Sequence, residues 1–299
     1  MKLLVFGANG QIGRELCRAA RPPGCDLVPL ARARADIGDA LAVAAAIGAE
    51  RPDLVLNLAA YTAVDRAESE AEEAWRVNCE GARLIALACR RSGAPLIQLS
   101  TDYVFDGEKR EPYREDDRVH PLGVYGASKE AGEVAVRALL PEHVILRTAW
   151  VFSPFGANFL KTVLRLGRGE KPLRIVADQI GSPTPAAAIA AALVAIARAI
   201  AEDRAEWGTF HFAGMPPASW HGFAEAILDV AAPRLGRRPL LAAIATSDYP
   251  TPARRPANSV LDCGKIAAAF ALSQPSWREG LAATIGEILD GEAEAGGRG

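Results

Sequence analysis

The first 150 residues alternate between short apolar runs and stretches with helical spacing. The apolar runs are Leu3–Phe6, Leu27–Leu30, Leu54–Leu58, Leu96–Leu99 and Val144–Leu146. Continuous apolar runs of this length are typical of strands that are buried on both faces. The order strand, helix, strand repeats about five times, which predicts an α/β fold with a Rossmann-like, doubly wound parallel sheet. The crossovers of such a sheet place ligands outside the carboxyl ends of its strands.

Helical spacing occurs between these runs and again in the second half of the chain. The helical stretches are Ile12–Ala20, Leu41–Ile47, Ala71–Arg91, Ala127–Leu140, Ala186–Ala201, His221–Val230 and Trp277–Leu289. After Arg147 proline-rich loops make the pattern less regular. We therefore expect a sheet domain over residues 1–150, with later returns of the chain allowed, a smaller C-terminal lobe over 151–290 and a flexible tail over 291–299.

Composition favours a small-molecule partner. Hydrophobic residues make up 50% of the chain and charged residues 23%, and the formal net charge is −2. This balance is ordinary for a globular protein and argues against a nucleic-acid or polyanion binder.

Cysteine spacing and hydropathy indicate the cellular compartment in which the protein is expected. The five cysteines are scattered, with no C-x-x-C pair and no cluster with histidine, so we expect neither structural disulfides nor a metal site. The apolar run at the start is too short for a signal peptide, and no later run reaches membrane-spanning length. These features predict a cytoplasmic protein that does not enter a membrane.

A glycine-rich turn follows the first predicted strand. Gly7, Gly10 and Gly13 form a G-x-x-G-x-x-G pattern that leads into a helical stretch. Glycine permits a tight turn and a close backbone approach to a pyrophosphate, and the helix N-terminus offers free N–H donors and the positive end of its dipole. A tight strand-to-helix turn also needs glycine for steric reasons alone. The position after the first strand favours a dinucleotide, so we interpret residues 1–150 as the dinucleotide-binding domain.

The end of the second strand bears on the choice of cofactor. An acidic residue there would bind a ribose hydroxyl and favour NAD, but the chain has Ala31, followed by Arg32 and Arg34. Two cations at this point would attract a 2′-phosphate. We expect NADPH to be preferred, with NADH as the alternative cofactor; the competing interpretation is that both arginines are merely solvated.

A tyrosine and a lysine are spaced to act together. Tyr125 and Lys129 stand four residues apart at the start of a helical stretch, so both side chains fall on one face. An unperturbed phenol, with a pKa near 10, is a poor proton shuttle at neutral pH, and we expect the lysine cation and an oxidised nicotinamide to lower that pKa. Tyr125 is then a candidate general acid for a developing alkoxide. The Tyr-x-x-x-Lys spacing is also common by chance.

Residues at the ends of other strands complete the predicted site. Thr101 follows the fourth strand, where its hydroxyl could polarise a substrate carbonyl; it could also serve only as a turn or cap, with Ser100 as the catalytic hydroxyl. The segment 57–62 leaves the third strand at the same edge, beside the expected cofactor ribose. Trp150 follows the fifth strand and could form an aromatic wall for a sugar ring, although a tryptophan that packs in the core is the alternative.

Taken together, these motifs resemble the extended short-chain dehydrogenase/reductase superfamily. More narrowly, the chain resembles the dTDP-4-dehydrorhamnose reductases over nearly its whole length. The matching blocks are residues 7–13, 57–65, 100–107, 121–129, 147–152, 178–184 and 255–259. The resemblance implies NADPH-dependent reduction of the 4-keto group of dTDP-4-dehydro-β-L-rhamnose to dTDP-β-L-rhamnose, with residues 151–290 as the substrate-binding lobe.

The resemblance also implies roles for individual residues. Tyr125 would donate the proton, Lys129 would orient the nicotinamide ribose and lower the pKa of Tyr125, and Thr101 would polarise the keto oxygen. The implied cofactor contacts are Gly7, Gly10, Gln11, Ile12, Gly13, Arg32, Asp36, Ile37, Ala60, Tyr61, Thr62, Tyr125 and Lys129. The implied substrate contacts are Thr101, Asp102, Tyr103 and Trp150.

Departures from the family pattern leave several alternatives open. Some members form a magnesium-bridged dimer through glutamates; Glu15 matches one such position, but residues 185–190 carry no acid, so magnesium is doubtful and a monomer or a homodimer is expected. Sugar-nucleotide 4,6-dehydratases place an acid where this chain has Tyr103, which argues against that reaction. Another nucleotide-sugar 4-ketoreductase, an epimerase, or a non-catalytic dinucleotide-binding regulatory subunit remains an alternative.

Overall fold

The computed structural model describes residues 1–296, and its first half alternates strands and helices as predicted. The strands are β1 Lys2–Phe6, β2 Asp26–Leu30, β3 Leu54–Asn57, β4 Leu96–Thr101 and β5 His143–Thr148. The helices are α1 Gln11–Arg18, α2 Ala40–Glu50, α3 Val64–Ala67, α4 Ala71–Trp75, α5 Gly81–Ser92 and α6 Val124–Leu139. A π-helical turn over Arg76–Glu80 joins α4 to α5, and a 3₁₀ turn over Asp102–Val104 follows β4. All five predicted strands are confirmed.

The second half contains shorter strands and longer helices. The strands are β6 Val151–Phe152, β7 Leu173–Val176, β8 Ile180–Gly181, β9 Thr184–Pro185, β10 Gly208–His211, β11 Ala218–Ser219 and β12 Leu241–Ile244. The helices are α7 Phe159–Gly167, α8 Ala186–Ala201, α9 Trp220–Leu235, α10 Gly264–Phe270 and α11 Trp277–Gly296, with a 3₁₀ turn over Thr246–Asp248. Within the described residues, no helix is both long and apolar enough to cross a membrane.

The central sheet has six parallel strands in the order β10-β5-β4-β3-β1-β2. The chain reverses its direction of sheet growth between β1 and β3, and this switch point opens a crevice at the carboxyl ends of the two strands. The doubly wound fold is therefore confirmed. The expectation that every strand is buried on both faces is wrong for β2, because β2 forms the sheet edge and only Leu30 of its residues is buried.

Two apolar layers cover the sheet, and the chain returns to it from beyond residue 150. Helices α2, α5 and α6 pack on one face, while α1 and α8 pack together on the other. Strand β10 then pairs with β5. The sheet domain therefore includes α8 and β10, which are among the later returns that the sequence analysis allowed.

The smaller lobe has its own apolar core. Helices α7, α9 and α11 pack together around the fully buried indole of Trp277 and the ring of Phe223. Helix α11 continues to Gly296, beyond Gly291, where the sequence analysis placed the start of a flexible tail. Residues 297–299 of that expected tail lie outside the described residues.

Helix α1 approaches the turn after β1 so closely that only glycine fits at its third residue. A Cβ on Gly13 would lie 2.5 Å from the Gly7 carbonyl oxygen and 2.6 Å from the Ala8 Cα. Both contacts are with backbone atoms, which cannot rotate away. The third glycine of the motif is thus required by the packing of helix on strand.

We expect Gly13→Ala to lower the free energy of unfolding by about 1–3 kcal/mol, the usual cost of an overpacked core site. Gly48→Ala is the matched control, because a Cβ on Gly48 in α2 meets no atom within 4 Å. That control should gain about 0.5–1 kcal/mol from the lower entropy of the unfolded chain. Urea unfolding followed by circular dichroism measures both values, and equal stability of the two variants would contradict the steric argument.

Candidate functional site

A single large cleft lies at the carboxyl ends of the sheet strands, between the sheet and the smaller lobe. Its volume is about 1090 Å³, enough for a dinucleotide and a second ligand. All the cofactor and substrate contacts that the resemblance implied line this cleft: Gly7, Gly10, Gln11, Ile12, Gly13, Arg32, Asp36, Ile37, Ala60, Tyr61, Thr62, Thr101, Asp102, Tyr103, Tyr125, Lys129 and Trp150. The fold therefore brings together residues that lie up to 143 positions apart.

The glycine turn forms a cradle with space for phosphate groups. Gly7 has φ +80°, a left-handed conformation, and a Cβ there would lie 2.5 Å from the Ala59 nitrogen. A Cβ on Gly10, in contrast, would meet only the Gly7 carbonyl oxygen, at 3.3 Å, among protein atoms within 4 Å. No side chain caps the N-terminus of α1, so its first N–H groups are available to an anion. This donor set and its shape fit a pyrophosphate.

The loop after β6 fixes the side chain of Gln11, the first residue of α1. The Gln11 Oε1 accepts hydrogen bonds from the Ser153 Oγ at 3.1 Å and from the Asn158 Nδ2 at 2.9 Å. Both donors come from a segment to which the sequence analysis assigned no site residue. The lobe therefore helps to hold the phosphate end of the cleft.

The adenosine end of the cleft contains one of the two predicted arginines. Arg32 lines the cleft, and its guanidinium donates to Asp36 at 3.3 Å and to Glu73 at 3.0 Å. Arg34 is outside the cleft lining and its Nη2 is 3.4 Å from Glu50. The expectation that Arg34 helps to attract a 2′-phosphate is wrong, because its side chain extends toward α2 instead.

A buried asparagine orders the segment that follows β3. The Asn78 side chain accepts a hydrogen bond from the Tyr61 nitrogen at 2.9 Å and donates to the Tyr61 oxygen at 3.1 Å. It also donates to the Ser128 Oγ at 3.0 Å, which ties the loop to α6. Asn78 lies in the π-helical turn, a distortion that often marks functional sites. Sequence reasoning missed it, since helical periodicity gives no signal for such a turn.

The predicted proton donor lies against the end of β4. Helix α6 begins at Val124, and a Cβ on Gly126 would be 2.2 Å from the Tyr103 carbonyl oxygen, so the start of α6 packs directly on the turn after β4. The Tyr125 ring meets the Tyr103 ring edge to face, with centroids 5.6 Å apart. Thr101 accepts a hydrogen bond from the Tyr103 nitrogen and donates to Asp102 at 3.0 Å. The fold thus brings the phenol and this hydroxyl to one edge of the sheet.

Burial sets the protonation of the two residues in the Tyr-x-x-x-Lys motif. Burial raises the pKa of Tyr125 to about 12, with the Thr101 hydroxyl opposing and Asp102 adding to the rise. Burial lowers the pKa of Lys129 to about 8, against the attraction of Glu133. The Lys129 Nζ donates to the Leu99 carbonyl oxygen at 2.6 Å. In the protein by itself the Tyr125 pKa therefore lies above its ordinary value, because desolvation of the phenolate dominates. The lowering expected from Lys129 together with an oxidised nicotinamide stays a prediction.

Two further acidic groups at this edge are also shifted. Asp102 is 2% exposed, and burial raises the pKa of its carboxyl to about 6, against hydrogen bonds that stabilise the carboxylate. Burial, together with the nearby Asp102, raises the pKa of the Tyr103 phenol. At neutral pH both phenols of this edge are therefore protonated and can donate hydrogen bonds.

The far wall of the cleft is a pair of stacked tryptophans. Trp150 and Trp220 lie parallel, with ring centroids 3.4 Å apart and an interplanar angle of 4°. Trp150 has φ +44°, a conformation that a bulky residue rarely adopts. A Cβ on Gly181 would lie 2.4 Å from the indole, so glycine leaves the space that the ring occupies. Sequence reasoning identified Trp150 and missed Trp220.

The lobe contributes polar residues to which the sequence analysis gave no role. Gln179, Tyr249 and Arg255 line the cleft beside the tryptophans. Arg255 is oriented by a bidentate ion pair with Asp65, at 3.0 and 2.7 Å. These side chains provide hydrogen-bond donors to a polar ligand on the lobe side.

The residues at the position that family resemblance linked to magnesium do not fit a metal ion. Glu15 is 3% exposed and is bound by the Arg18 guanidinium at 2.6 and 2.9 Å. The same guanidinium donates to Glu287 at 2.6 Å. An internal cation thus already occupies the oxygens of both carboxylates, and the described residues contain no group of three or more potential metal ligands.

Comparisons with known proteins agree with this geometry. The family model of the RmlD substrate binding domain matches residues 1–289. A dTDP-4-dehydrorhamnose reductase of Sinorhizobium fredii is 44% identical over 291 residues, covering 97% of this chain and 98% of that protein. The Escherichia coli dTDP-4-dehydrorhamnose reductase is 38% identical over 296 residues, covering 97% and 98%.

Solved structures give the same result. A Clostridium acetobutylicum dTDP-4-dehydrorhamnose reductase superposes with a TM-score of 0.89 at 36% identity, and one from Bacillus anthracis, in complex with NADP, with 0.89 at 35%. Each comparison covers 96% of this chain and 99% of the other. The chain therefore belongs to the dTDP-4-dehydrorhamnose reductase family, within the extended short-chain dehydrogenase/reductase superfamily.

Proposed function

We propose that this protein is an NADPH-dependent oxidoreductase that reduces dTDP-4-dehydro-β-L-rhamnose to dTDP-β-L-rhamnose. The observation that carries the proposal is the meeting of Tyr125, Lys129 and Thr101 in the same cleft as the glycine cradle. Full-length similarity to reductases of that name, and the NADP complex of the Bacillus anthracis relative, support the substrate and the cofactor.

The residues around the switch point between β1 and β3 would hold the cofactor. Gly7, Gly10 and Gly13 would let the backbone approach the pyrophosphate, and the N–H groups of Gln11 and Ile12 would bind its oxygens. Arg32, Asp36 and Ile37 would contact the adenosine, and Ala60, Tyr61 and Thr62 the ribose that leads to the nicotinamide. The dinucleotide, when bound, supplies the hydride for the keto carbon.

Tyr125 supplies the proton to the keto oxygen. A general acid must carry its proton at the working pH, and a pKa of about 12 keeps the phenol fully protonated near neutrality. The Thr101 hydroxyl donates to the same oxygen and stabilises the negative charge that develops there. The phenol therefore carries its proton when a keto substrate arrives, and it can pass that proton to the more basic alkoxide that develops.

Lys129 acts from one helical turn further along α6. Its ammonium is anchored on the Leu99 carbonyl at the end of β4, so its remaining protons are directed to the ribose hydroxyls of the cofactor. The positive charge also stabilises a phenolate on Tyr125 once the proton has left. Lys129 thus orients the cofactor and offsets the negative charge that proton transfer leaves on Tyr125.

The stacked tryptophans and the lobe hold the nucleotide sugar. A flat indole face packs well against the apolar face of a sugar ring, and stacking on Trp220 keeps the Trp150 ring in one orientation. Asp102 and Tyr103 lie at the opposite wall and bind sugar hydroxyls. The keto carbon is then placed between the nicotinamide and Tyr125.

The alternative reactions lack an observation in their favour. A dehydratase needs a base at the position of Tyr103, whose buried phenol keeps its proton because its pKa is raised. The UDP-glucose 4-epimerase of Thermus thermophilus superposes with a TM-score of 0.79, but at 22% identity this likeness concerns the fold alone. The intact Thr101, Tyr125 and Lys129 argue against a non-catalytic regulator.

The direct test is a reductase assay with purified protein. Mixing the protein with dTDP-4-dehydro-L-rhamnose and NADPH should give a loss of NADPH absorbance and formation of dTDP-L-rhamnose, identified by chromatography and NMR. Absence of NADPH oxidation in the presence of this substrate would overturn the proposal.

We expect Tyr125→Phe to lower kcat by about 10²–10⁴-fold, the usual contribution of a positioned general acid. Affinity for NADP⁺, measured by tryptophan fluorescence, should change little because the ring remains. Tyr113→Phe is the matched control, since it removes a buried phenol that hydrogen-bonds Asp106 outside the cleft. Undiminished turnover by Tyr125→Phe would show that another group supplies the proton.

The pH dependence of the reduction rate should follow the protonation of Lys129 and not that of Tyr125. We expect kcat/KM to stay level up to neutral pH and to fall as pH rises through about 8, because deprotonation removes the Lys129 charge. Tyr125, with a pKa of about 12, stays protonated through this range. Lys129→Arg keeps its charge, so its residual activity should lose this alkaline decline. A decline at the same pH in that variant would contradict the assignment.

A further inference from the structure

Two arginines and two carboxylates form a closed ring at the adenosine end of the cleft. Arg76 binds Asp36 with both terminal nitrogens at 3.2 Å and binds Glu73 at 2.7 and 2.9 Å. Arg32 closes the ring through Asp36 at 3.3 Å and Glu73 at 3.0 Å. Each carboxylate is therefore shared between both guanidinium groups.

The two arginine side chains differ in how tightly they are packed and in whether they reach the cleft. Arg76 is packed on the backbone of Gly38, where a Cβ would lie 1.8 Å from its Nη1, and its side chain is 34% exposed. Arg32 is 70% exposed and lines the cleft, which Arg76 does not. Arg76 is thus a fixed part of the ring, and Arg32 is the cation that a ligand in the cleft can recruit.

The charges of the ring cancel at neutral pH. Hydrogen bonds from Arg76 and then the other ion-pair contacts hold the pKa of Glu73 below its usual range. Burial would raise the pKa of Asp36, but Arg76 and the Gly38 nitrogen hold it below its usual range as well. Two carboxylates therefore face two guanidinium groups. A 2′-phosphate, with a charge of about −1.5 to −2, must compete with them for Arg32.

We propose that Glu73 sets the preference between NADPH and NADH by competing with the 2′-phosphate for Arg32. The inference rests on the proposed binding of a dinucleotide in this cleft. Asp36 has a second partner in the Gly38 nitrogen and stays in place, whereas Glu73 lies outside the cleft lining and acts only through the two arginines. The usual ribose-binding acid stands at the end of β2. In this protein the acid that limits the preference for NADPH comes instead from α4, about forty residues further along the chain.

Equilibrium binding of NADP⁺ and NAD⁺ to the full chain, measured by calorimetry without sugar substrate, tests this inference. Glu73→Gln should tighten NADP⁺ relative to NAD⁺ by about three- to tenfold, the size expected when one unit charge is removed from beside a phosphate in water. The gain should shrink in high salt. Glu72→Gln, which removes a neighbouring exposed charge of the same helix, should leave the ratio unchanged.

A second variant identifies the cation involved. Arg32→Ala should weaken NADP⁺ relative to NAD⁺, and adding Glu73→Gln to it should give no gain. An unchanged or lower ratio in Glu73→Gln, an equal gain in Glu72→Gln, or a full gain without Arg32 would each overturn the inference. If the variants bind the two cofactors as expected but the protein does not turn over the nucleotide sugar, the proposed function is overturned and this inference is not.

Discussion

A buried ion pair between Glu133 and Arg147 fixes the catalytic helix on the sheet. The Arg147 Nε and Nη2 donate to the two Glu133 oxygens at 2.8 and 2.6 Å, and neither side chain is more than 2% exposed. Removing one partner of such a pair costs about 3–5 kcal/mol, since the other charge stays buried. Because α6 carries Tyr125 and Lys129 while β5 carries Arg147, this pair sets where the phenol and ammonium meet the end of β4.

The site combines this rigidity with groups whose burial is unfavourable. Lys129 is 4% exposed and the pKa of its ammonium falls to about 8, which means that folding disfavours the charge that the site uses. Trp150 adopts a left-handed backbone conformation in order to stack on Trp220. Unfavourable burial and backbone strain of this kind are typical of sites that must orient a ligand. The free energy that they cost is offset by the apolar layers on the sheet and by the core of the lobe.

Much of this arrangement could be predicted because its signals are local. Apolar runs and glycine spacing predicted β1 to β5 and the cradle, and the alanine-rich pattern predicted α8 with the bounds that the structure has. The features that the sequence did not report also share a cause. Arg34 stands two residues from Arg32 but extends toward Glu50, and burial raises the pKa of Tyr125. Both depend on packing, which neither residue spacing nor residue type reports.

The sequence by itself determined the class of fold and the family, and it supplied the residues proposed to carry the chemistry, since hydrophobic period, turn chemistry and motif spacing are local properties of the chain. Only the tertiary structure decided which distant side chains complete the site. Trp220 reaches Trp150, Asn78 orders the loop at Tyr61, and Glu73 joins the ring around Arg32. Each of these contacts depends on how helices pack across the ends of the strands, and that packing results from burial of whole surfaces and not from any local pattern.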